Sequence, residues 1–422
     1  MPARHLPVLP DLDQLRHQAR ELLRALRDGD PSALADLAAY HPTLRDASRA
    51  RLADAQLVLA RSYQVTSWPR LVHACELAAA LWHDDAATVR RLVTRHPALL
   101  HENVHARPQA NWGPPMSYAA NLAHDELIRL LHELGARDHA HAAGRAALQG
   151  HVETARLIHR LAGSPPLPAG SLGGPAYTLS AAGTAFCLSM GARAVDDAGR
   201  CLAPVDVVLE TDSRKPEEKH AILEMYVQHG VLLPDTPAWA VHRGRVDLLE
   251  RHLARDPGLL RRTFAHEEVY PPEFGCHDEV LATHGTPLAG ATLLHLCVDY
   301  DEWELAQWLV ARGMDVDARA AVDAEGFGGH TALFGTVVSQ PNFWMNRGVG
   351  TPEPRFTELL LARGADPNAR ASLRKRLHPG YGDHPRWEYR DVTPRAWGER
   401  FGAPAFVSAA ALARIRDAGG GA

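Results

Sequence analysis

Residues 290–318 read GATLLHLCVDYDEWELAQWLVARGMDVDA. Thr292 stands where a helix N-cap belongs, and Leu293, Leu294, Leu296 and Cys297 give the residues after it an apolar side. Leu305, Trp308 and Leu309 return a second apolar stripe at helical spacing, so the stretch predicts two short helices back to back. Gly313 follows as the residue best suited to the left-handed conformation that closes a helix. One such pair cannot bury its own apolar side, so the rest of the chain has to supply neighbours for it.

Those neighbours are present in the sequence. Residues 21–44, 76–100 and 236–260 each carry an alanine-bearing first helix, an Asp or Gly turn and a second helix with Leu or Val at helical spacing. Each closes on a proline, Pro42, Pro97 or Pro257, placed 21 residues after the segment starts. Proline ends a helix there because its ring and missing N–H prevent continuation. Pro114 to Gly135 has the same length, Ala142 to Gly163 is a shortened unit and Tyr177 to Ala192 a contracted one. Ala203 to Gly230 is expanded, with the polar run Thr211–Lys219 as the extra residues. Thr331 reaches Gly364 only after 33 residues, and a last unit runs from Asp391 to about Arg416.

These units resemble ankyrin repeats, whose form is T-P-L-H, a helix pair and a G-A-D-x-N-A turn. Residues 113–138 and 290–318 carry the resemblance most clearly, and Gly364-Ala365-Asp366-Pro367-Asn368-Ala369 repeats the closing turn. The resemblance is to a bacterial type with degenerate and expanded repeats. It implies an all-α solenoid of stacked helix pairs with protruding hairpin loops, and a cytoplasmic scaffold that binds a protein partner through its concave face and inserted loops. The expected organisation is an N-terminal helical cap with one degenerate repeat at 1–74, repeats at 75–163, a Pro/Gly/Ser-rich loop or hinge at 164–174, and further repeats at 175–422. The last region carries insertions at 261–289, 339–356 and 371–390.

Composition narrows the function classes. The chain has 422 residues, 46% hydrophobic and 23% charged, with a net charge of −5, which offers no footprint for nucleic acid or an anionic membrane. The only lysines are Lys215, Lys219 and Lys375, in a chain that otherwise uses arginine. Five scattered cysteines without a C-x-x-C argue against a disulfide framework or a zinc knuckle and fit a reducing cytoplasm. No cofactor is implied.

In a solenoid, function is added where the repeat is interrupted. The first insertion crowds His266, Glu267, Glu268, Glu273, Cys276, His277, Asp278, Glu279 and His284 into about twenty residues. The plainer reading is a solvated hairpin. The alternative is an enzyme, metal-dependent, acid–base or hydrolytic, with a pocket formed by the insertions. It takes His266, Glu268, His277 and Asp278 as the catalytic groups and His266, Glu273 and His277 as metal ligands. His295 fills the histidine place of the repeat motif, where the resemblance implies a structural role. The other insertions suit contact better than chemistry, because Trp, Tyr and Arg dominate interface hot spots. Phe343, Trp344, Tyr381, Trp387, Tyr389, Arg374 and Arg376 are the partner-binding candidates, with His330 at a hairpin tip; the aromatics read equally as anchors for their own loops. Asp299 and Asp301, at the helix turn of 290–318, are the repeat residues most open to a second role.

Overall fold

The computed structural model describes residues 4–106, 111–339, 353–376 and 386–421. The chain divides into two compact units, Met1–Pro168 and Ala169–Ala422. The expected fold class is what both units display: they are built from short antiparallel helix pairs.

In the first unit, α1 (Leu12–Arg27), α2 (Pro31–Tyr40) and α3 (Leu52–Ser62) pack on one another. Asp11 and Asp30 cap the first two by accepting backbone N–H bonds that the helices cannot satisfy internally. Leu15, Ala19 and Leu59 bury against Leu71 and Cys75 of α4 (Trp68–Trp82), which joins the three helices to the repeats that follow. Those repeats pair α4 with α5 (Ala86–Arg95), α6 (Pro115–Ala120) with α7 (Asp125–Glu133), and α8 (His139–Gln149) with α9 (Val152–Leu161). First helices stack on first helices, α4 on α6 and α6 on α8, while α5, α7 and α9 form a second row. All of α6 is buried, and small Ala119 and Ala120 allow its backbone to approach its neighbours closely. The N-terminal segment is tied down by Tyr118, whose hydroxyl donates to the Val8 carbonyl at 2.8 Å.

The second unit repeats the scheme with α10 (Gly173–Tyr177) and α11 (Ala181–Ser189), α12 (Val205–Glu210) and α13 (Pro216–Gln228), and α14 (Pro237–His242) and α15 (Val246–Arg255). The first insertion contributes two single turns, α16 (His266–Val269) and α17 (Glu279–Ala282). Then come α18 (Leu293–Asp299) with α19 (Trp303–Ala311), α20 (Ala332–Val337) with α21 (Arg355–Ala362), and α22 (Pro394–Arg400) with α23 (Ala409–Asp417). The first helices α14, α18, α20 and α22 stack in that order.

Local chemistry explains the most regular pair. Thr292 caps α18 jointly with His295, whose Nδ1 lies 2.8 Å from the threonine hydroxyl. The other ring nitrogen of His295 donates to the His330 carbonyl at 3.1 Å, tying one repeat to the next. Asp301 makes the turn with φ of 59°, and Gly313 ends α19 with φ of 87°, where a side chain would be strained.

The hairpins of this unit are joined by backbone hydrogen bonds. Phe264 N–H donates to Ala291, Gly290 N–H to Phe264 and Ala321 N–H to the Gly290 carbonyl, each at 2.8 Å. Val322 bridges Gly328, whose N–H donates to Ser372 at 2.7 Å. Ser372 belongs to β1 (Ala371–Lys375), which pairs antiparallel with β2 (Trp387–Val392), setting Leu373 opposite Tyr389 and Arg374 opposite Glu388. The third insertion is therefore, at both its ends, a strand pair continuing the ladder. Among the described residues no helix is long and apolar enough to cross a membrane.

Candidate functional site

The polar run after α12 turns inward. Thr211, Asp212, Ser213 and Arg214 are all buried. Arg214 donates to the Asp299 carboxylate at 2.9 Å, to the Asp299 carbonyl at 2.8 Å and to the carbonyls of Thr211 and Ser213 at 2.5 and 3.0 Å. The ion pair is almost wholly removed from water, with side chains 2% and 3% exposed. Burial alone would lower the guanidinium; Asp299 beside it outweighs that and holds it above its ordinary value. One turn into α13, Lys219 meets Glu302 at 2.7 Å, and His220 reaches the same carboxylate oxygen at 2.8 Å. Burial pushes Glu302 toward neutrality, but Lys219 and His220 keep its carboxyl below the usual range. Tyr300 lies between the two pairs, with Arg214 4.6 Å and Lys219 4.2 Å from its ring centroid. The network thus clamps the α12–α13 loop onto the α18–α19 turn, across sequence separations of 82 to 85 residues.

The first insertion packs against the same loop through carboxylate–histidine pairs. Glu210 accepts from His277 Nδ1 at 2.6 Å and from the His277 backbone N–H at 2.5 Å. The bond to Glu210 raises the half-exposed His277 imidazole above its ordinary value. Buried His284 pairs with Asp212 at 2.8 Å. His266 Nε2 donates to the His277 carbonyl at 2.9 Å.

His266 meets the backbone carbonyl of His277, whose own ring nitrogen Nδ1 faces Glu210. Glu273 is exposed, and Glu268 is occupied by Arg262 and by the Ala265 N–H that it caps. Asp278 is exposed, just before α17. Among the described residues no group of three His, Cys, Asp or Glu side chains is placed to hold a metal ion. Burial pushes the Cys276 thiol far up, the opposite of what a nucleophile needs.

The contact candidates separate. His330 is not available at a hairpin tip: it is 1% exposed, and its Nε2 donates to the Pro287 carbonyl at 3.0 Å. Trp387 and Tyr389 pack inward on α22, with ring centroids 6.1 Å from Phe401 and 4.9 Å from Trp397, so they anchor their own strand. Arg374 pairs with Asp323 and Glu325, each at 2.6 Å, whereas Arg376 is exposed. Phe343, Trp344 and Tyr381 lie outside the described residues.

Two insertions do touch. Lys375 on β1 is 2% exposed, and its Nζ donates to the Glu279 carbonyl on α17 at 2.9 Å. Burial lowers this ammonium to about 8, against the pull of Glu279, Asp299 and Asp278. Beside the contact lies a cleft of about 170 Å³ at the hairpin ladder, with Val322, Phe327, His330 and Arg374 in its walls. Phe327 is flanked by the guanidinium carbons of Arg390 at 3.6 Å and Arg374 at 4.7 Å. Gly328, with φ of 117°, is required here, because a Cβ would run into the Ala321 carbonyl.

Sequence reasoning overlooked Glu210, Arg214 and Lys219. The available signal was scarcity: of only three lysines, Lys219 and Lys375 are buried. A lysine kept in an arginine-rich chain marks a place where a compact ammonium, and not a planar guanidinium, fits.

Among solved structures, the ankyrin repeat domain of Bcl-3, described as a unique member of the IkappaB protein family, is similar to this chain. The similarity has 14% sequence identity and covers 81% of this chain and 97% of that one, with a TM-score of 0.21. No protein-family model and no curated protein matches the chain. At that TM-score the likeness adds nothing to the fold assignment, which rests on the chain's own helix pairs and their order of stacking.

Proposed function

We propose that the chain is a cytoplasmic ankyrin-repeat scaffold of bacterial type that binds a protein partner along the hairpin face of its second unit. The observation that carries this reading is the composition of the cleft on the hairpin ladder. Val322, 61% exposed, lines it together with Phe327, whose ring two arginines approach. An exposed aliphatic side chain beside an aromatic and arginines is the make-up of an interface hot spot. The backbone ladder and the buried ion pairs give that surface a rigid support, which limits the ordering cost of binding. All five cysteines are free, in keeping with a reducing compartment.

The test is affinity capture from a cytosolic extract of the source cell with quantitative mass spectrometry. Wild type is compared with Val322→Asp, Arg390→Ala and a control on the other unit, Arg129→Ala. The same proteins should be lost from both cleft variants and kept by the control, with circular dichroism unchanged in all four. Full retention by both cleft variants would remove the reading.

A further inference from the structure

In the first unit, α8 aims two donors at a single oxygen at the end of α6. His141, Arg145 and Gln149 follow one another at four-residue spacing, so they share one face of α8. Asn121, which closes α6, is buried and fixed in orientation: its amide nitrogen donates to the Ser117 carbonyl at 2.8 Å, which leaves Oδ1 as the acceptor. Arg145 Nε donates to that Oδ1 at 2.8 Å, and Gln149 Nε2 to the same atom at 3.3 Å. The guanidinium is thereby held by its inner nitrogen alone. Among the described residues neither Nη of Arg145 makes a hydrogen bond or an ion pair, and neither is closed off from solvent. Burial pushes this half-buried guanidinium below its ordinary value, and no carboxylate opposes the shift. Arg214, by contrast, is held above its ordinary value by Asp299.

Drawing a cation partly out of water costs free energy that a counter-charge offsets, and the chain supplies none here. What stays open is the outer edge of a planar fork, two Nη groups with their N–H bonds in one plane. Its geometric complement is a carboxylate accepting two parallel hydrogen bonds. The surroundings set the charge of that complement. His141 is exposed one turn earlier on the same face, and burial together with Arg145 lowers its imidazole, so it adds no charge at neutral pH. Gln149 contributes a neutral amide. One positive charge beside neutral groups matches a monoanion, whereas phosphorylated segments are held by clusters of arginine. We infer that Arg145 receives the carboxylate of an acidic side chain presented by the protein partner, with the Gln149 amide beside it. The bond from Nε to Asn121 fixes the fork in advance and so limits the ordering cost of the contact. This contact belongs to the first unit, and it rests on the reading given above only in that the partner is a protein.

The experiment uses the full chain carrying isotope-labelled arginine, titrated at an ionic strength of about 0.15 M. The probes are acetyl-tetraglutamate amide, its tetraglutamine counterpart and inorganic phosphate. Saturation-transfer NMR on the peptides reads affinity, and the arginine Nε–H resonances report where the peptide sits. The Arg145 resonance, assigned by its disappearance in Arg145→Gln, should shift saturably with the glutamate peptide and stay in place with the glutamine one. Affinity for the glutamate peptide should fall at least about tenfold in Arg145→Gln, because a bidentate charge-assisted contact is lost. Arg145→Lys keeps the charge without the planar fork and should recover only part of that loss. Circular dichroism checks that both variants keep the wild-type helix content. Equal affinity for the glutamine peptide, tighter binding of phosphate, or a Gln or Lys variant that binds like wild type overturns the assignment. If the glutamate peptide binds at Arg145 while Val322→Asp leaves partner capture intact, the hairpin reading falls and this contact stands. If capture depends on Val322 while the Arg145 resonance does not move, only the Arg145 assignment falls.

Discussion

Removing the carboxylate of Asp299 should be among the most damaging single changes in the second unit. Its partner Arg214 is 2% exposed, and a buried guanidinium left without a counter-charge costs about 3–5 kcal/mol. The lower end applies here. In Asp299→Ala the bonds from Arg214 to the carbonyls of Asp299, Thr211 and Ser213 survive, so the guanidinium loses compensation of charge more than it loses acceptors. For a unit of this size 1 kcal/mol corresponds to about 2–4 °C, which places the expected fall in Tm at about 6–12 °C. Differential scanning calorimetry of the full chain measures it. A double replacement, Arg214→Met with Asp299→Leu, should recover part of the loss, because an apolar pair of similar size avoids the desolvation cost of both charges. A fall below about 2 °C in Asp299→Ala, or a double variant as unstable as the sum of the singles, would refute the claim that the pair clamps the α12–α13 loop onto the α18–α19 turn.

Other perturbations test neighbouring parts of the same argument. Glu210 raises the His277 pKa, so its contribution to stability is fully present below the unfolded histidine value of about 6.5 and is lost as pH rises through the folded value. The stability gap between wild type and Glu210→Gln should therefore narrow from pH 6 to pH 8.5, and the His277 ring resonances should titrate with a midpoint above the ordinary one. Lys375 is depressed to about 8, so between about pH 8 and 10.4 the unfolded chain binds more protons than the folded one and stability rises with pH. Lys375→Met should abolish that rise, as read by Tm across the same window. Thr286 accepts the Trp397 indole N–H at 3.0 Å in a fully buried position, so Thr286→Val should cost about 1–3 kcal/mol in urea unfolding. Leu232→Asp, at a residue 88% exposed, should change stability by less than about 0.5 kcal/mol.

Much of the fold was legible because its signals are local. Thr292, the stripe from Leu305 to Leu309 and Gly313 act within one helical turn of themselves, and they produced α18, α19 and the glycine-ended turn at their expected places. The structural reading of His295 rested on the repeat motif, and its bonds to Thr292 and the His330 carbonyl are those of a tie between repeats. The site was less legible. Nothing in the run from Thr211 to Lys219 distinguishes a solvated loop from one drawn inward, because its counter-charges Asp299 and Glu302 are more than 80 residues away. His330 looked available at a tip, but the hairpin ladder buries it under Pro287. Trp387 and Tyr389 were ambiguous until α22 appeared beneath them.

The sequence by itself determined the units, since helix caps, apolar spacing and terminating prolines or glycines depend on neighbours a few residues apart. Only the tertiary structure decided which polar residues face one another. Arg214 and Lys219 became buried cations because stacking carried the α18–α19 turn to them, and the cost of burying a charge is set by the partner that arrives, wherever it lies in the chain. Asp299 and Asp301, open to a second role in the sequence, took different ones: Asp299 neutralises Arg214 in the interior, and Asp301 turns the chain and pairs with Arg355 at 2.6 Å.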